Sequence, residues 1–183
     1  ARGKDYSGEL RISSKKAVKF AKKIYTEYAE LFSSCTYFHI GCDEFLSSSK
    51  SDIVNYINTI SKFLQKKGFT VRIWNDLLRR DNIAKINHKL QITYWSFDGD
   101  TTIPSESKRR RKVRASASAL IKEGFDILNY NSYYLYFTPS ATNCNKSDRD
   151  YMVRDLKNNW NLKIWDGDGG IPLKNSRHVI GAA

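Results

Sequence analysis

Apolar residues recur at helical spacing in four segments of the chain, and this spacing predicts four helices. They cover about residues 15–32, the segment between Asp52 and Gly68, and residues 116–123 and 149–158. The inward side of the first helix is predicted to carry Val18, Ala21, Tyr25, Tyr28 and Leu31. The residues suited to cap these helices are Ser13, Ser14, Ser51, Asp52, Gly68, Gly124 and Asp148.

Short apolar runs alternate with the predicted helices, and each has the length of a buried strand. They occupy residues 36–40, 69–74, 90–95, 125–130 and 162–165, and residues 178–183 begin another. This alternation predicts a parallel sheet in an α/β fold. Five strands with right-handed crossovers fit part of a (β/α)8 barrel or an open doubly wound sheet. No glycine-rich nucleotide loop follows any strand, so nucleotide binding of that type is not predicted.

The composition is that of one folded domain with a basic surface. The chain has 183 residues, 40% of them hydrophobic, and a formal net charge of +12. Part of this charge lies in one run from Lys108 to Arg114, for which a solvated loop or the start of a helix is one explanation. Positive charge also permits binding to nucleic acids or anionic surfaces. No apolar run is long enough to cross a bilayer, and the first residues do not form a signal peptide.

Aromatic and polar side chains follow the predicted strands where each strand ends. They are Trp74, Asn75 and Asp76; Trp95, Ser96 and Asp98; residues 129–136; and Trp165 with Asp166. In a β/α barrel these positions meet at the C-terminal mouth, where active sites lie. Three tryptophans beside carboxylates therefore predict an aromatic-walled pocket, which suits the flat C–H faces and the hydroxyls of sugars.

Asp43 and Glu44 stand side by side directly after the first predicted strand and its glycine turn. Adjacent carboxylates repel each other, so their pKa values are pushed apart and the pair suits acid–base catalysis. The alternative is that both acids simply favour the N-terminus of a helix.

The three cysteines give no metal or redox motif. Cys35, Cys42 and Cys144 have irregular spacing, and no zinc pattern or Cys-x-x-Cys occurs. A free, buried thiol is therefore predicted for each. Cys42 beside the carboxylates is also a candidate nucleophile, but neither His39 nor His88 has a clear pairing role. No metal ion or cofactor is expected.

The segment His39-Ile40-Gly41-Cys42-Asp43-Glu44 resembles the His-x-Gly-Gly-Asp-Glu signature of glycoside hydrolase family 20, the β-N-acetylhexosaminidases. Residues 73–76, 92–96, 129–136 and 164–167 resemble the dispersin branch of that family. The resemblance runs over nearly the whole chain. It implies that residues 1–183 form a single partial domain of a (β/α)8 TIM barrel, from the region of the fourth strand to the approach to the eighth.

The resemblance implies substrate-assisted retention, in which the substrate's 2-acetamido oxygen attacks the anomeric carbon. Glu44 would act as general acid and then as general base, and Asp43 would accept the acetamido N–H. Tyr136 would donate its hydroxyl to the acetamido oxygen, with Tyr134 as the alternative. The expected substrate-binding residues are Trp74, Trp95 and Trp165 as walls, Asp76 and Asp98 for hydroxyls, and His39 as support for the carboxylates or as a structural residue.

Dispersins hydrolyse β-1,6-linked poly-N-acetylglucosamine in bacterial biofilms. The expected partner is therefore an oligosaccharide or polysaccharide containing N-acetylglucosamine, and the expected location is secreted or on a bacterial cell surface. Two departures matter. Cys42 replaces the second glycine of the signature, and a complete barrel needs about 250 residues, more than this chain has. We therefore expect the isolated chain to be weakly active or inactive.

Two other function classes fit parts of the same pattern. A sugar-binding module without catalysis would have the same aromatic surfaces and polar loops. A nucleic-acid-binding protein would use the basic run from Lys108 to Arg114, since phosphate contacts dominate such binding. Against the second class, the aromatic residues cluster with acids rather than with the basic run.

Overall fold

Five parallel strands form one sheet whose order follows the chain. The computed structural model describes residues 10–43, 45, 48–99, 101–136, 145–166 and 172–183. The strands are β1 (Tyr37–His39), β2 (Thr70–Trp74), β3 (Gln91–Tyr94), β4 (Asp126–Asn129) and β5 (Val179–Ala182). Each strand pairs in parallel with the next. Because a doubly wound sheet reverses its strand order and this sheet does not, the strands form an arc of a β/α barrel.

In the described part of the chain, five α-helices connect or precede these strands: α1 (Lys15–Leu31), α2 (Lys50–Gln65), α3 (Pro104–Val113), α4 (Ala117–Glu123) and α5 (Lys146–Asn159). A short 3-10 helix covers Ile83–Lys85. The four predicted helices are confirmed as α1, α2, α4 and α5. The basic run lies in α3, which begins with a proline in its first turn. None of the described helices is long and apolar enough to span a bilayer.

The predicted N-caps are wrong for α2 and α5, and the other predicted caps are correct. Gly68 follows the end of α2 with φ +96°, and its N–H donates to the Gln65 carbonyl at 3.0 Å. Ser14 precedes α1, and Gly124 ends α4 in the left-handed conformation with φ +94°. By contrast, Ser49 caps α2 by accepting the N–H of Asp52, and Asn145 caps α5 by accepting the N–H of Asp148. The two acids lie in the first turn, where the helix dipole favours them without their capping the helix.

The predicted strand over residues 162–165 is wrong, and the place beside β4 is taken by β5 instead. Asn161 makes this segment a turn: its side-chain oxygen accepts the N–H of Lys163, and its carbonyl accepts the N–H of Ile164. A short apolar run fits a buried loop as well as a strand, so the pattern could not separate the two.

The core lies between the helices and the outer face of the sheet. It includes Ile57, Ile60 and Leu64 of α2, Val71 and Ile73 of β2, Ile92 of β3, Ile127 of β4 and Leu120 of α4. The predicted inward side of α1 is only partly correct. Ala21 is buried, and Val18 and Tyr25 pack on the core, but Tyr28 and Leu31 are exposed.

Candidate active site

The turn after β1 brings Asp43 to the carboxyl edge of the sheet. The parallel ladder continues past β1 through the bond from the Trp74 N–H to the Gly41 carbonyl, at 2.9 Å. Gly41 and Cys42 then both adopt the left-handed conformation, each with φ +68°. Asp43 follows, exposed to solvent. It does not cap a helix, since α2 begins only after Ser49. Glu44 lies outside the described residues.

Cys42 has a buried side chain at the position where the signature has glycine. Its Sγ is 3.7 Å from the carbonyl oxygen of Ile40. Burial, followed by the charges of Asp43 and Asp76, raises the pKa of the Cys42 thiol well above its usual range. The thiol is therefore protonated and unsuited to be a nucleophile. The prediction of a buried thiol is confirmed for Cys42 and wrong for the exposed Cys35, and Cys144 lies outside the described residues.

His39 is held as a neutral ring by hydrogen bonds on both nitrogens. Its Nδ1 accepts the Gly41 N–H at 3.0 Å, and its Nε2 lies 2.7 Å from the hydroxyl of Thr93. Thr93 in turn donates to the Ile73 carbonyl at 2.8 Å, so Nε2 carries the proton and is the donor. Desolvation lowers the pKa of His39 to about 4, while Asp43 opposes the shift and Arg72 adds to it.

Thr93 was not among the predicted site residues. The signal that could have found it is a hydroxyl residue within the apolar run of β3, where a buried polar group needs a partner. Here it links β1, β2 and β3 through His39 and the Ile73 carbonyl.

An aromatic wall lies beside the Asp43 turn. The ring of Trp74 is 4.7 Å from that of His39 and 5.5 Å from that of Tyr130, which meets it edge to face. Trp74 and Tyr130 are both half-buried. The wall therefore combines the ends of β1, β2 and β4, and it leaves aromatic surface accessible for a ligand.

Trp95 is positioned by two polar residues that follow β2. Its backbone N–H donates to Asn75 Oδ1 at 2.9 Å, and its indole N–H donates to Asp76 Oδ1 at 3.3 Å. Asn75 Nδ2 donates to the Ser96 carbonyl at 2.6 Å, so the Asn75 amide links the ends of β2 and β3. Asp76 is buried and accepts this bond from Trp95.

Trp165 is not part of the open wall. Its side chain is only 2% exposed, it meets the ring of Tyr94 edge to face at 5.6 Å, and its indole N–H donates to the Leu162 carbonyl. The Tyr94 hydroxyl donates to Asp166 at 3.0 Å, and burial raises the pKa of that carboxyl. In this structure Trp165 packs beneath the site and offers no face to a sugar.

Asp98 fastens α3 to the loop after β3. It accepts hydrogen bonds from Ser107 at 2.5 Å, from Arg111 at 3.0 Å and from Ser96 at 3.2 Å. Burial raises the pKa of Asp98, but the bonds from Ser107 and Arg111 outweigh it and lower the pKa below the usual value. Its bonds within the protein make Asp98 an anchor for α3.

The tyrosines after β4 lie on a turn built by Asn131. Its side-chain oxygen accepts the N–H groups of Tyr133 and Tyr134, and its carbonyl accepts that of Leu135. Tyr134 is buried, whereas Tyr136 is 39% exposed. Of the two tyrosines predicted for the acetamido group, Tyr136 is therefore the more accessible. No cluster of His, Cys, Asp and Glu suited to a metal ion occurs in the described part of the chain.

No family model matches the chain. Among solved structures it is similar to Dispersin B, with a TM-score of 0.92 and 36% identity over 98% of this chain and 54% of that one. It is also similar to the family 20 catalytic modules of a pneumococcal exo-β-D-N-acetylglucosaminidase, with a TM-score of 0.59, 20% identity and coverage of 73% and 35%. Among curated proteins it is similar to lacto-N-biosidase of Bifidobacterium bifidum, with 27% identity over 98% of this chain and 16% of that protein.

These matches confirm the predicted resemblance to dispersin-like family 20 proteins and the barrel fold. The two relatives named for an activity are glycosidases, which is the enzyme class predicted from the sequence. The chain spans about half the length of Dispersin B and a much smaller part of lacto-N-biosidase.

Proposed function

We propose that this chain is part of the catalytic domain of a family 20 β-N-acetylhexosaminidase that hydrolyses β-linked N-acetylglucosamine. The similarity to Dispersin B over nearly the whole chain supports this proposal. The names of the other two relatives, an exo-β-D-N-acetylglucosaminidase and a lacto-N-biosidase, are in keeping with it.

One observation carries the proposal: the accessible ring of Trp74 lies between His39 and Tyr130, directly beside the turn that bears Asp43. Aromatic rings bind the apolar faces of sugars, and a carboxylate next to them can accept an amide N–H. Asn75 and Asp76 hold Trp95 on the neighbouring strand end as a second wall. The arrangement fits a sugar that carries an N-acetyl group.

In the proposed reaction, the acetamido oxygen forms a bond to the anomeric carbon while the bond from that carbon to the leaving oxygen breaks. Glu44 gives its proton to the leaving oxygen. Asp43 accepts the acetamido N–H and stabilises the positive charge of the oxazolinium, and Tyr136 donates to the acetamido oxygen. A water then gives a proton to Glu44 and attacks the anomeric carbon, while the bond from that carbon to the acetamido oxygen breaks and the acetamido group is restored. Two inversions at the same carbon retain its configuration.

His39 is proposed as a positioning residue. Its Nδ1 accepts the N–H of Gly41, which begins the turn carrying Asp43, and its ring packs on Trp74. One neutral imidazole thereby fixes both the carboxylate turn and the aromatic wall. Within the substrate class, poly-N-acetylglucosamine of bacterial biofilms is the glycan that the dispersin resemblance favours, and with it a secreted or cell-surface location.

The test compares 4-nitrophenyl N-acetyl-β-glucosaminide with 4-nitrophenyl β-glucoside, and measures binding of a thiazoline analogue of the oxazolinium. Hydrolysis is expected only for the N-acetylated compound, because the glucoside lacks the attacking group. Glu44→Gln should lower the rate about 100-fold or more while thiazoline binding remains, and Asp43→Asn should weaken that binding about tenfold. Glu30→Gln, on the exposed face of α1, is the control and should change neither.

Unchanged hydrolysis in Glu44→Gln would contradict the proposal, as would equal cleavage of the two glycosides. Thiazoline binding without any turnover in the parent sequence would favour the second candidate, a sugar-binding barrel fragment. That candidate is kept because the chain spans only about half of Dispersin B.

A further inference from the structure

A basic cleft of about 310 Å³ adjoins the proposed sugar site. Asp76 and Trp95 line one side of it, so the cleft is continuous with the wall described above. The cations among its described lining residues are Lys50, Arg79, Arg109, Arg110 and Arg114. They come from the start of α2, the loop after β2, and the end of α3 with the residue that follows it.

The backbone holds two of these arginines side by side. Arg79 and Arg114 are partners in an isolated antiparallel bridge. The bridge is flanked by hydrogen bonds from the Arg80 N–H to the Val113 carbonyl at 3.0 Å and from the Ala115 N–H to the Leu78 carbonyl at 2.8 Å. Like charges repel, so this placement depends on the surrounding fold rather than on attraction between the arginines.

Two guanidinium groups converge at Gly99. A Cβ atom on Gly99 would lie 2.6 Å from Nη1 of Arg110 and 3.0 Å from Nη1 of Arg114. A side chain there would have to displace one of them, and Gly99 also has φ +75°, which favours glycine. The glycine therefore leaves room for both arginines at the wall of the cleft.

Among the residues that the structure describes, carboxylates neutralise these cations only in part. Glu106 pairs with Arg109 and Arg110, and Asp81 pairs with Lys50 and Arg79. The buried Nη1 of Arg114 has no hydrogen-bond partner among the described residues. Burial lowers the pKa of Arg114, the charge of Arg110 adds to this effect, and Asp76 opposes it. An oxyanion in the cleft would supply both the missing acceptor and the missing negative charge.

We infer that this cleft binds an acidic group on the sugar next to the N-acetylhexosamine, so that the preferred substrate is an anionic glycan. The inference rests on the proposed function, because it places the N-acetylhexosamine at the wall formed by Trp74 and Trp95. It differs from that proposal in the glycan: an acidic sugar takes the place of the neighbouring residue of poly-N-acetylglucosamine, the polymer that the dispersin resemblance favours. Guanidinium forks match the paired oxygens of carboxylate, sulfate and phosphate groups. The same cations repel a cationic, partly deacetylated polymer.

The test measures affinity by titration calorimetry for three disaccharides with terminal β-linked N-acetylglucosamine. The second sugar is glucose, glucuronic acid or a sulfated glucose, so a carboxylate and a sulfate are compared with a neutral partner. The chain should bind at least one acidic compound about tenfold more tightly than the neutral one. Arg114→Gln should remove most of this preference and leave the affinity for the neutral disaccharide unchanged.

Arg109→Gln provides a second variant, since its side chain is 66% exposed and its replacement should not disturb folding. It should lower the preference by a smaller factor. Lys112→Gln is the matched control: it removes one charge from the same basic run at an exposed position that does not line the cleft. It should keep the full preference.

Equal affinity for the acidic and neutral compounds would overturn the inference and leave the proposed function standing. An equal loss of preference in Lys112→Gln and Arg114→Gln would also overturn it, because general charge would then explain the result. Failure of all three disaccharides to bind would count against both proposals. Displacement of the acidic disaccharide by duplex DNA at equal charge concentration would identify the cleft as a nucleic-acid site instead.

Discussion

At the scale of single residues, the departure of the chain from the family 20 signature can be explained physically. Cys42 has φ +68°, a region that costs a residue with a side chain roughly 1 kcal/mol and costs glycine almost nothing. The same side chain is buried, and its burial stabilises the folded chain by about as much as the positive φ destabilises it. The two effects nearly offset each other, so a cysteine can stand where the signature has glycine.

Substitutions at Cys42 should therefore separate strain from burial. Cys42→Gly should change the free energy of unfolding by less than about 1 kcal/mol, because relief of strain offsets the lost side chain. Cys42→Val should be at least about 2 kcal/mol less stable than Cys42→Gly, because a β-branched residue resists positive φ. Urea unfolding followed by circular dichroism measures both. Equal stability of the two variants would contradict the argument.

His39 should make stability depend on pH. Its pKa of about 4 in the folded chain lies below the ordinary value of 6.5, so the unfolded chain binds the proton first as the pH falls. The contribution of the neutral His39 ring to the free energy of unfolding is complete above about pH 6.5, and it is lost as the pH falls from 6.5 to about 4. We expect it to be about 1 kcal/mol, less than the shift alone gives, since the residue is partly exposed.

Urea unfolding at pH 7 and pH 4.5 measures this contribution. The parent chain should lose more stability between the two pH values than His39→Gln, whose side chain does not titrate. If the parent chain and His39→Gln lost equal stability between pH 7 and pH 4.5, the hydrogen bonds around His39 would not favour its neutral ring.

At the scale of elements, α3 is a helix that the pattern of apolar residues did not predict. Its residues follow no apolar pattern, so periodicity gave no basis for predicting a helix. The structure shows that α3 has ion pairs where other helices have an apolar face. Glu106 binds Arg109 and Arg110 within the helix, and Asp98 binds Arg111 from outside it. Much of the basic run is therefore engaged within the protein, which weakens the nucleic-acid interpretation.

Asp98→Asn should release α3 from the loop after β3. The change removes the charge that pairs with Arg111 and weakens the bond from Ser107, so we expect a loss of about 1–2 kcal/mol in stability. Asp150→Asn, at an exposed position in α5, should cost less than about 0.5 kcal/mol. Thermal or urea unfolding of the two variants provides the comparison. Similar effects from both would argue against Asp98 as an anchor.

At the scale of the whole molecule, the five strands form an arc with two free edges among the described residues. Tyr37 on β1 and Ile180 on β5 are about half exposed there, at 50% and 43%. Unpaired edges and open sheet faces invite further pairing. The similarity covers 54% of Dispersin B, so Dispersin B contains a larger part of the barrel than this chain does.

The isolated chain should therefore be a weak enzyme. Release of 4-nitrophenol from its N-acetyl-β-glucosaminide should stay well below ordinary enzyme rates, because the chain spans only about half the length of Dispersin B. Turnover on the order of 10 per second would contradict this expectation. Size-exclusion chromatography of the same sample would show whether two copies pair through the free edges.

The sequence by itself determined the alternation of strands and helices, the α/β class and the grouping of polar and aromatic residues at strand ends. Local periodicity and turn residues carry that information. It also predicted that Asp43, Trp74 and Trp95 lie at one edge of the sheet, because the carboxyl ends of parallel strands share that edge.

Only the tertiary structure decided which candidates face the site. The sequence pattern grouped Asp98 and Trp165 with Trp74 at strand ends, yet one anchors α3 and the other is buried against Tyr94. The partners that decide these roles are Arg111 and Ser107 for the first residue and Tyr94 for the second. The roles depend on distances between elements far apart in the chain, and a local pattern of residues does not contain those distances.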